Sequence, residues 1–165
     1  MGQFHNREGY RTMARLIKYL LYLVAAGVVF VLLIQLIPVP QTNPPVVTQV
    51  RWDSPQTKDV FARACADCHS NETKWPWWTR IAPGSWLVYR DVKEGREEFN
   101  ISDLTRLNTQ RLDRFNREID ETVEEGEMPP WYYVIAHPEA ALSDQEKQII
   151  TDGLSKTLSA TLSSK

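Results

Sequence analysis

The sequence predicts an all-α protein in which one long apolar helix precedes a small helical domain. Apolar residues recur at three- and four-residue intervals late in the chain, and no convincing strand pattern is present. Helix-start signals open the first and last predicted helices of the domain, at Ser54-Pro55 and at Ser143 with Glu146. The predicted segments are a tail (1–18), an apolar helix (19–37), a linker (38–52), a domain (53–158) and a polar tail (159–165).

The run from Tyr19 to Ile37 carries no charge, and its one notable polar residue is Gln35. As a helix this run is about 28 Å long, close to the hydrocarbon thickness of a bilayer. Three basic residues, Arg11, Arg15 and Lys18, precede it, which favours a cytoplasmic N-terminus. No small-x-small cleavage site comes after it. We therefore expect an uncleaved single-pass anchor in a bacterial cytoplasmic membrane, with the domain on the periplasmic side.

The linker begins PVPQTNPPVVTQV and holds four of the ten prolines. Such a stretch favours extended polyproline II at about 3 Å per residue, which predicts a stiff stalk between membrane and domain. The alternative is an ordered strap that packs against a neighbouring subunit.

Four helices are predicted within the domain. The first carries Val60, Phe61, Ala64 and Cys65 on one face, and the second covers about 84–98. Ser102 is a candidate N-cap for the next helix, and Gly126 is a typical residue just past a helix end. The third helix has its apolar stripe at Leu112, Phe115, Ile119 and Val123, and the fourth at Ile149, Ile150, Leu154 and Leu158. The polar tail after residue 158 is expected to fray.

The net charge of −2 is divided unevenly along the chain. Residues 1–50 hold four basic groups and one acidic group, which leaves fifteen basic and twenty acidic groups in residues 51–165. Binding to nucleic acid requires a basic patch, so nucleic acid is not expected as a partner of this acidic domain. A redox protein with a positive docking face fits this charge.

The segment Cys65-Ala66-Asp67-Cys68-His69 spells C-x-x-C-H, the pattern of covalent haem attachment, and it contains both cysteines of the chain. Each cysteine would form a thioether to a haem vinyl group, with His69 as the proximal iron ligand. The sequence therefore predicts one covalent haem c. A redox dithiol would need a thioredoxin-like βαβ setting, and a structural zinc site would need four ligands, with only His137 available downstream.

Met128 is the only methionine within the domain and the main candidate for the second axial ligand. It comes after the helix stop at Gly126 and precedes two prolines, in a loop suited to presenting a thioether. Methionine ligation would favour a relatively high reduction potential. His137 as ligand, an open iron, and a packing role for Met128 are the alternatives.

Further candidate haem contacts lie between residues 75 and 83. The indoles of Trp75, Trp77 and Trp78 could wall the haem and donate to its propionates, and Arg80 could pair with them. Several tryptophans could equally form a core. The loop containing Pro83 could supply the carbonyl that accepts from the proximal imidazole, or it could be an ordinary turn.

With these residues in hand, the chain resembles the haem-binding domain family of single-haem proteins related to cytochrome c. The resemblance covers about residues 55–155 and rests on CADCHSNETKWPWW (65–78), IAPGSWL (81–87), EGREEFNIS (94–102) and EGEMPPWYYVIAHPEAALS (125–143). It implies a cytochrome c-like fold around one haem c, with His69 as proximal ligand and Met128 as distal ligand. One departure is Asp91, which stands where other members often have histidine.

These patterns favour a membrane-anchored electron carrier rather than an enzyme. Its partner would be a redox protein or a membrane electron-transfer complex, respiratory or photosynthetic. The alternatives are a haem-based sensor, a structural haem subunit and a peroxidase-like enzyme. The short predicted cytoplasmic tail offers no output domain, and a peroxidase needs distal acid–base groups for which only His137 is available.

Overall fold

The structure, a computed structural model, describes the chain from Gln3 to Ser164, with side chains from Gly9 onward. It is all-helical over these residues and has no strand, as the sequence predicts. The α-helices are α1 (Gln3–Ile34), α2 (Pro55–Ala64), α3 (Ala66–His69), α4 (Gly84–Glu98), α5 (Thr109–Glu124), α6 (Trp131–Ala136) and α7 (Asp144–Ser163). Two 3₁₀ turns lie at Trp77–Arg80 and Pro138–Ala140.

The described residues divide into two compact units. The first unit contains the residues up to Pro40 together with Pro76–Leu87, and the second contains Gln41–Trp75 and the residues from Val88 on. This division differs from the single domain predicted for 53–158. Twelve residues from the middle of that predicted domain belong to the same unit as α1, and the linker from Gln41 onward belongs to the second unit.

In the first unit, α1 is long and apolar enough over Gly9–Ile34 to cross a membrane, and a signal sequence would satisfy the same criterion. The mean hydropathy there reaches 2.5, with 6% of that window buried. The helix begins well before the predicted Tyr19 and ends at Ile34, three residues before the predicted Ile37.

In the second unit, α7 packs against α2 and α5. Their apolar faces form the core together with a loop that comes after α4. The buried core residues are Val60, Phe61, Ile101, Leu104, Leu112, Val123, Ile150, Leu154 and Leu158. The backbones of α2 and α7 approach closely at Gly153, where a Cβ would collide with the side chain of Thr57.

Local signals set most helix ends as predicted. Ser54 caps α2 through Thr57 N, and Ser143 and Glu146 form a complete capping box on α7. Gly126, with φ of 75°, lies just past the end of α5.

Two boundary predictions are wrong. Ser102 caps no helix; its side chain is buried and accepts from Asn71 N at 3.0 Å, whereas Asn108 caps α5. The tail after residue 158 continues as α7 through Ser163, since Thr161 is still buried. Lys165 lies outside the described residues.

The linker, residues 38–52, has no helix or strand, and residues 42–48 lie against their own domain rather than forming a free stalk. Val47 N and Thr48 N both donate to Ser102 O, at 2.8 and 2.9 Å. Asn71 Nδ2 donates to Pro45 O at 2.9 Å, and Asn43 Nδ2 donates to Thr73 O at 2.9 Å. We call residues 42–48 the strap; it contacts the segment immediately after the C-x-x-C-H motif.

Candidate haem site

Helix α2 delivers the chain into the C-x-x-C-H motif. Its buried face, Val60, Phe61 and Ala64, packs in the core, and Cys65 N donates to Phe61 O at 2.9 Å to end the helix. The single turn of α3 comes next, because Cys68 N and His69 N both donate to Cys65 O, at 3.2 and 2.9 Å. The two cysteines and the histidine therefore share one helical turn that is braced on the core.

The His69 ring is held by a backbone carbonyl. Its Nδ1 lies 3.0 Å from Phe99 O, so Nδ1 carries the proton and the lone pair is on Nε2. Burial lowers the pKa of this imidazole below its usual value, which favours the neutral ring. A neutral histidine with a fixed Nδ1–H is the form that binds a metal through Nε2.

This bond corrects the prediction for Pro83. The carbonyl that accepts from His69 is that of Phe99, just past the end of α4, and not one in the loop containing Pro83. Phe99 also contributes its ring, which lies 6.0 Å from the His69 ring and 4.6 Å from Phe115 between centroids. Sequence reasoning missed Phe99, since nothing local distinguishes it from another core aromatic.

Helix α4 passes the motif at Gly95. A Cβ at this position would lie 2.8 Å from Cys68 O and 3.0 Å from Cys68 Cβ, closer than side chains normally approach. Glycine therefore allows the backbone of α4 to contact the turn that carries the C-x-x-C-H motif, a role that EGREEF alone does not reveal.

The cysteine environment does not favour a redox dithiol. Burial raises the pKa of Cys65 to about 12, with Cys68 adding to the rise. Burial also raises the pKa of Cys68 to about 12, helped by the carboxylates of Asp91 and Asp67. A reactive dithiol needs a lowered thiol pKa. Among residues 9–164, no group of three or more His, Cys, Asp or Glu side chains is arranged to hold a metal ion.

Asp67, inside the motif, organises the loop that comes after it. Its Oδ1 accepts from Lys74 N at 2.9 Å, and its backbone carbonyl accepts from Thr73 Oγ1 at 2.6 Å. Its Oδ2 accepts from the Tyr133 hydroxyl at 2.9 Å. Burial and this carboxylate raise the pKa of Tyr133, which keeps its hydroxyl protonated as a donor. One residue of the motif thus binds α6.

Met128 lies in the turn between α5 and α6. Gly126 N donates to Val123 O and Glu127 N to Thr122 O, a Schellman motif, and Met128 N shares the Thr122 carbonyl at 3.1 Å. The Met128 side chain is 43% exposed. It is therefore not a core packing residue.

Two tyrosines position α6, the helix after the Met128 turn. Tyr133 donates to Asp67, and the Tyr132 hydroxyl donates to Asp91 Oδ2 on α4 at 3.0 Å. Asp91 also accepts from Arg90 Nη2 at 2.9 Å. Asp91 is thus an acceptor for Tyr132 and Arg90.

His137, the alternative candidate for the second axial ligand, contacts Tyr133 and Glu139. Its ring stacks on Tyr133 with 4.5 Å between centroids, and its Nδ1 lies 3.5 Å from Glu139 Oε1. These contacts give His137 a role in supporting Tyr133.

The predicted haem contacts between residues 75 and 83 divide between the two units. Trp75 lies in the second unit with the motif, but its indole N–H donates to Asn43 Oδ1 at 3.1 Å and so is not free for a propionate. Trp77, Trp78, Arg80 and Pro83 belong to the first unit. Contact of Trp77, Trp78 and Arg80 with the haem stays a prediction.

Arg96, which sequence reasoning passed over, ties three segments together. Its Nε donates to Ser70 O at 2.8 Å, Nη1 to Thr42 O at 2.9 Å, and Nη2 to Asn43 Oδ1 and Thr73 Oγ1 at 3.0 and 2.8 Å. The strap, α4 and residues 70–74, which we call the post-motif loop, meet at this guanidinium.

The residues present fit a haem. Two cysteines lie on one turn beside a histidine whose Nδ1 is fixed by a carbonyl, and an exposed methionine lies on a separate, hydrogen-bonded turn. The all-helical domain and this set of donor side chains place the chain in the class of haem proteins. The chain belongs to the haem-binding domain family, whose family model matches residues 29–156. No curated protein and no solved structure matches the chain.

The family match is longer than the resemblance predicted. It begins at residue 29, within the apolar helix, and includes the strap, whereas the sequence motifs indicated residues 55–155. The strap's hydrogen bonds to Ser102, Asn71 and Arg96 give a physical reason for its inclusion.

Proposed function

We propose that this haem protein is a membrane-anchored, single-haem c-type cytochrome that carries one electron at a time. The observation that carries the proposal is the His69 Nδ1 bond to Phe99 O within a C-x-x-C-H turn. It orients the ring and leaves Nε2 for the iron, the arrangement expected of a proximal ligand.

Each of the chain's own residues has a defined part. Cys65 and Cys68 would hold the cofactor covalently, His69 would bind the iron, and Met128 would be the second axial ligand. When bound, a haem c supplies a one-electron couple whose potential depends on its axial ligands and their hydrogen bonds. Gly95 and Asp67 hold the attachment turn, while the Schellman turn holds Met128.

Two strong axial ligands suit an electron carrier better than an enzyme or a sensor. Both of the latter need an exchangeable iron position, and the only candidate distal histidine, His137, is stacked on Tyr133. The physiological partner would be a redox protein or an electron-transfer complex in the membrane.

The membrane anchor belongs to the same proposal. The apolar stretch of α1 is long enough to span a bilayer, and 6% of its most apolar window is buried. Arg11, Arg15 and Lys18 lie at its N-terminal side, which favours a cytoplasmic N-terminus and an extracytoplasmic haem domain. N-terminal sequencing of the membrane-bound protein distinguishes a retained anchor from a cleaved signal sequence.

The test of electron transfer is an optical spectrum of the purified protein, oxidised and reduced, with and without carbon monoxide. We expect the weak near-infrared band of Met–haem ligation in the oxidised protein, its loss in Met128→Ala, and no response of the wild type to carbon monoxide. Gln110→Ala, at an exposed position of α5, is the control and should keep the band. Rapid carbon monoxide binding by the wild type would instead indicate an open iron and a sensor or a peroxidase-like enzyme.

A further inference from the structure

The segment Pro76–Leu87 is attached to the C-terminal end of the apolar helix. Gln35, just past the end of α1, accepts from Ala82 N through Oε1 at 2.9 Å and donates to Ala82 O through Nε2 at 3.1 Å. The Trp86 indole N–H donates to Ile37 O at 3.0 Å. We call residues 76–87 the Trp-rich segment; it and α1 form one compact unit.

Gln35 is the notable polar residue of the predicted anchor, and these bonds explain its presence. Its amide pairs with both backbone groups of Ala82, as a peptide group would. The bond lies where the helix has just ended, at Ile34. In a spanning helix this level is the boundary between hydrocarbon and headgroups.

The Trp-rich segment exposes large apolar side chains at this level. The side chain of Trp77 is 76% exposed and that of Ile81 is 47% exposed, while Trp78 and Leu87 are each 39% exposed. The segment holds one charged residue, Arg80, which is also exposed, and no acidic residue. Tryptophan is enriched at membrane interfaces, and a guanidinium pairs well with phosphate.

We propose that the Trp-rich segment lies in the lipid headgroup region, with Trp77 and Ile81 among the headgroups and upper acyl chains and Arg80 paired with phospholipid phosphate. This inference rests on the proposed membrane anchor. Gln35 holds the segment at that depth, so the chain contacts the bilayer through this segment as well as through α1. Trp77 and Trp78 then contact lipid instead of walling the haem.

The test uses the full-length haem-loaded protein in vesicles of phosphatidylcholine and phosphatidylglycerol. A nitroxide is attached at Trp77→Cys, and its collision rates with oxygen and with a water-soluble nickel chelate are measured by electron paramagnetic resonance. Oxygen concentrates in lipid and the chelate in water, so their ratio reports depth. We expect several-fold lower chelate accessibility at position 77 than at Trp131→Cys, a matched control that is 72% exposed and lies in the second unit.

A second label at Val28→Cys, within α1, separates the two proposals. If the label at 28 lies in lipid and the label at 77 is fully accessible to the chelate, the inference is overturned but the proposed membrane anchor is supported. Full chelate access at both positions would overturn the anchor and the inference with it. A label at 77 shielded from both oxygen and chelate would mean burial in protein or against haem, which also overturns the inference.

Gln35→Leu tests the attachment, because it keeps the helix apolar and removes both bonds to Ala82. We expect the label at 77 to become more mobile and more accessible to the chelate, while the label at 28 is unchanged. Gln110→Leu, at an exposed position of α5, is the control. An unchanged signal at 77 in Gln35→Leu would contradict the role assigned to Gln35.

Discussion

Gly95 is the residue at which α4 contacts the turn that carries the C-x-x-C-H motif. A Cβ there would lie 2.8 Å from Cys68 O, so any larger residue must displace either the helix or the motif. Gly95→Ala should therefore destabilise the holoprotein by about 1–3 kcal/mol, as overpacking does, and lower the yield of haem-loaded protein. Denaturant unfolding and haem absorbance per mole of protein measure the two effects.

Gly84→Ala is the matched control, because nothing lies within 4 Å of the Cβ it would add. Alanine favours a helix more than glycine does, so Gly84→Ala should not lower the stability or the yield of haem-loaded protein. Equal destabilisation by the two substitutions would show that the contact with Cys68 is not responsible.

Tyr133 supports the haem motif through one hydroxyl. Tyr133→Phe removes the hydrogen bond to Asp67 Oδ2 and should lower the free energy of unfolding by about 1.5 kcal/mol, typical of a bond to a charged acceptor. Because Tyr133 also positions the helix after Met128, the near-infrared Met–haem band should weaken. Tyr89→Phe, on α4, should change neither; a stable Tyr133→Phe protein with an unaltered band would contradict this role.

At the scale of elements, Arg96 links the strap, the post-motif loop and α4 by four hydrogen bonds. Lysine has no planar fork and cannot reach all these acceptors. Arg96→Lys should therefore cost about 2–3 kcal/mol and release the strap first. Hydrogen exchange should rise at Val47 and Thr48, whose N–H groups donate to Ser102 O.

The control for Arg96 is Arg117→Lys, at an exposed position of α5. It should leave both the stability and the exchange of the strap unchanged. Wild-type exchange at Val47 and Thr48 in Arg96→Lys would mean that Arg96 does not hold the strap.

The elements show why some predictions succeeded and others failed. The capping residues act within a few residues of their helix ends, so the local sequence was sufficient to predict those ends. These residues are Ser54, Gly126, Ser143 and Glu146. The strap and the Phe99 carbonyl depend on contacts between residues about thirty or more positions apart in sequence. Such pairings arise from tertiary packing, which a single sequence does not specify.

Some features of the candidate site could likewise be predicted from local sequence, and others could not. The C-x-x-C-H spacing and the turn around Met128 were recognisable from local sequence. Asp67 with Tyr133 and Asp91 with Tyr132 were missed, because each bond joins residues forty or more positions apart. The bonds of the Trp-rich segment to Gln35 and Ile37 also join residues more than forty positions apart, and composition alone does not reveal them.

At the scale of the whole molecule, the second unit has a small core for its length. Its buried apolar residues come mainly from α2, α5 and α7, and domains of about a hundred residues are only marginally stable on such cores. Haem would give the helices additional apolar surface to pack against, and it would stabilise the folded state because the unfolded chain offers no such packing. The double variant Cys65→Ala with Cys68→Ala should therefore lose cooperative thermal unfolding, measured by circular dichroism.

The single variant Cys65→Ala is its control, because it keeps one thioether and His69. It should retain cooperative unfolding at a lower midpoint. Wild-type stability of the double variant without haem would show that the helical core is sufficient by itself.

We propose that one haem is covalently bound at Cys65 and Cys68. The measurement to make first is intact mass spectrometry of the protein, purified under denaturing conditions from cells that mature c-type cytochromes. We expect a mass increase equal to one haem, which is lost in the double cysteine variant. A mass equal to that of the polypeptide alone, from cells in which a control cytochrome c is fully loaded, would mean that no haem is covalently bound.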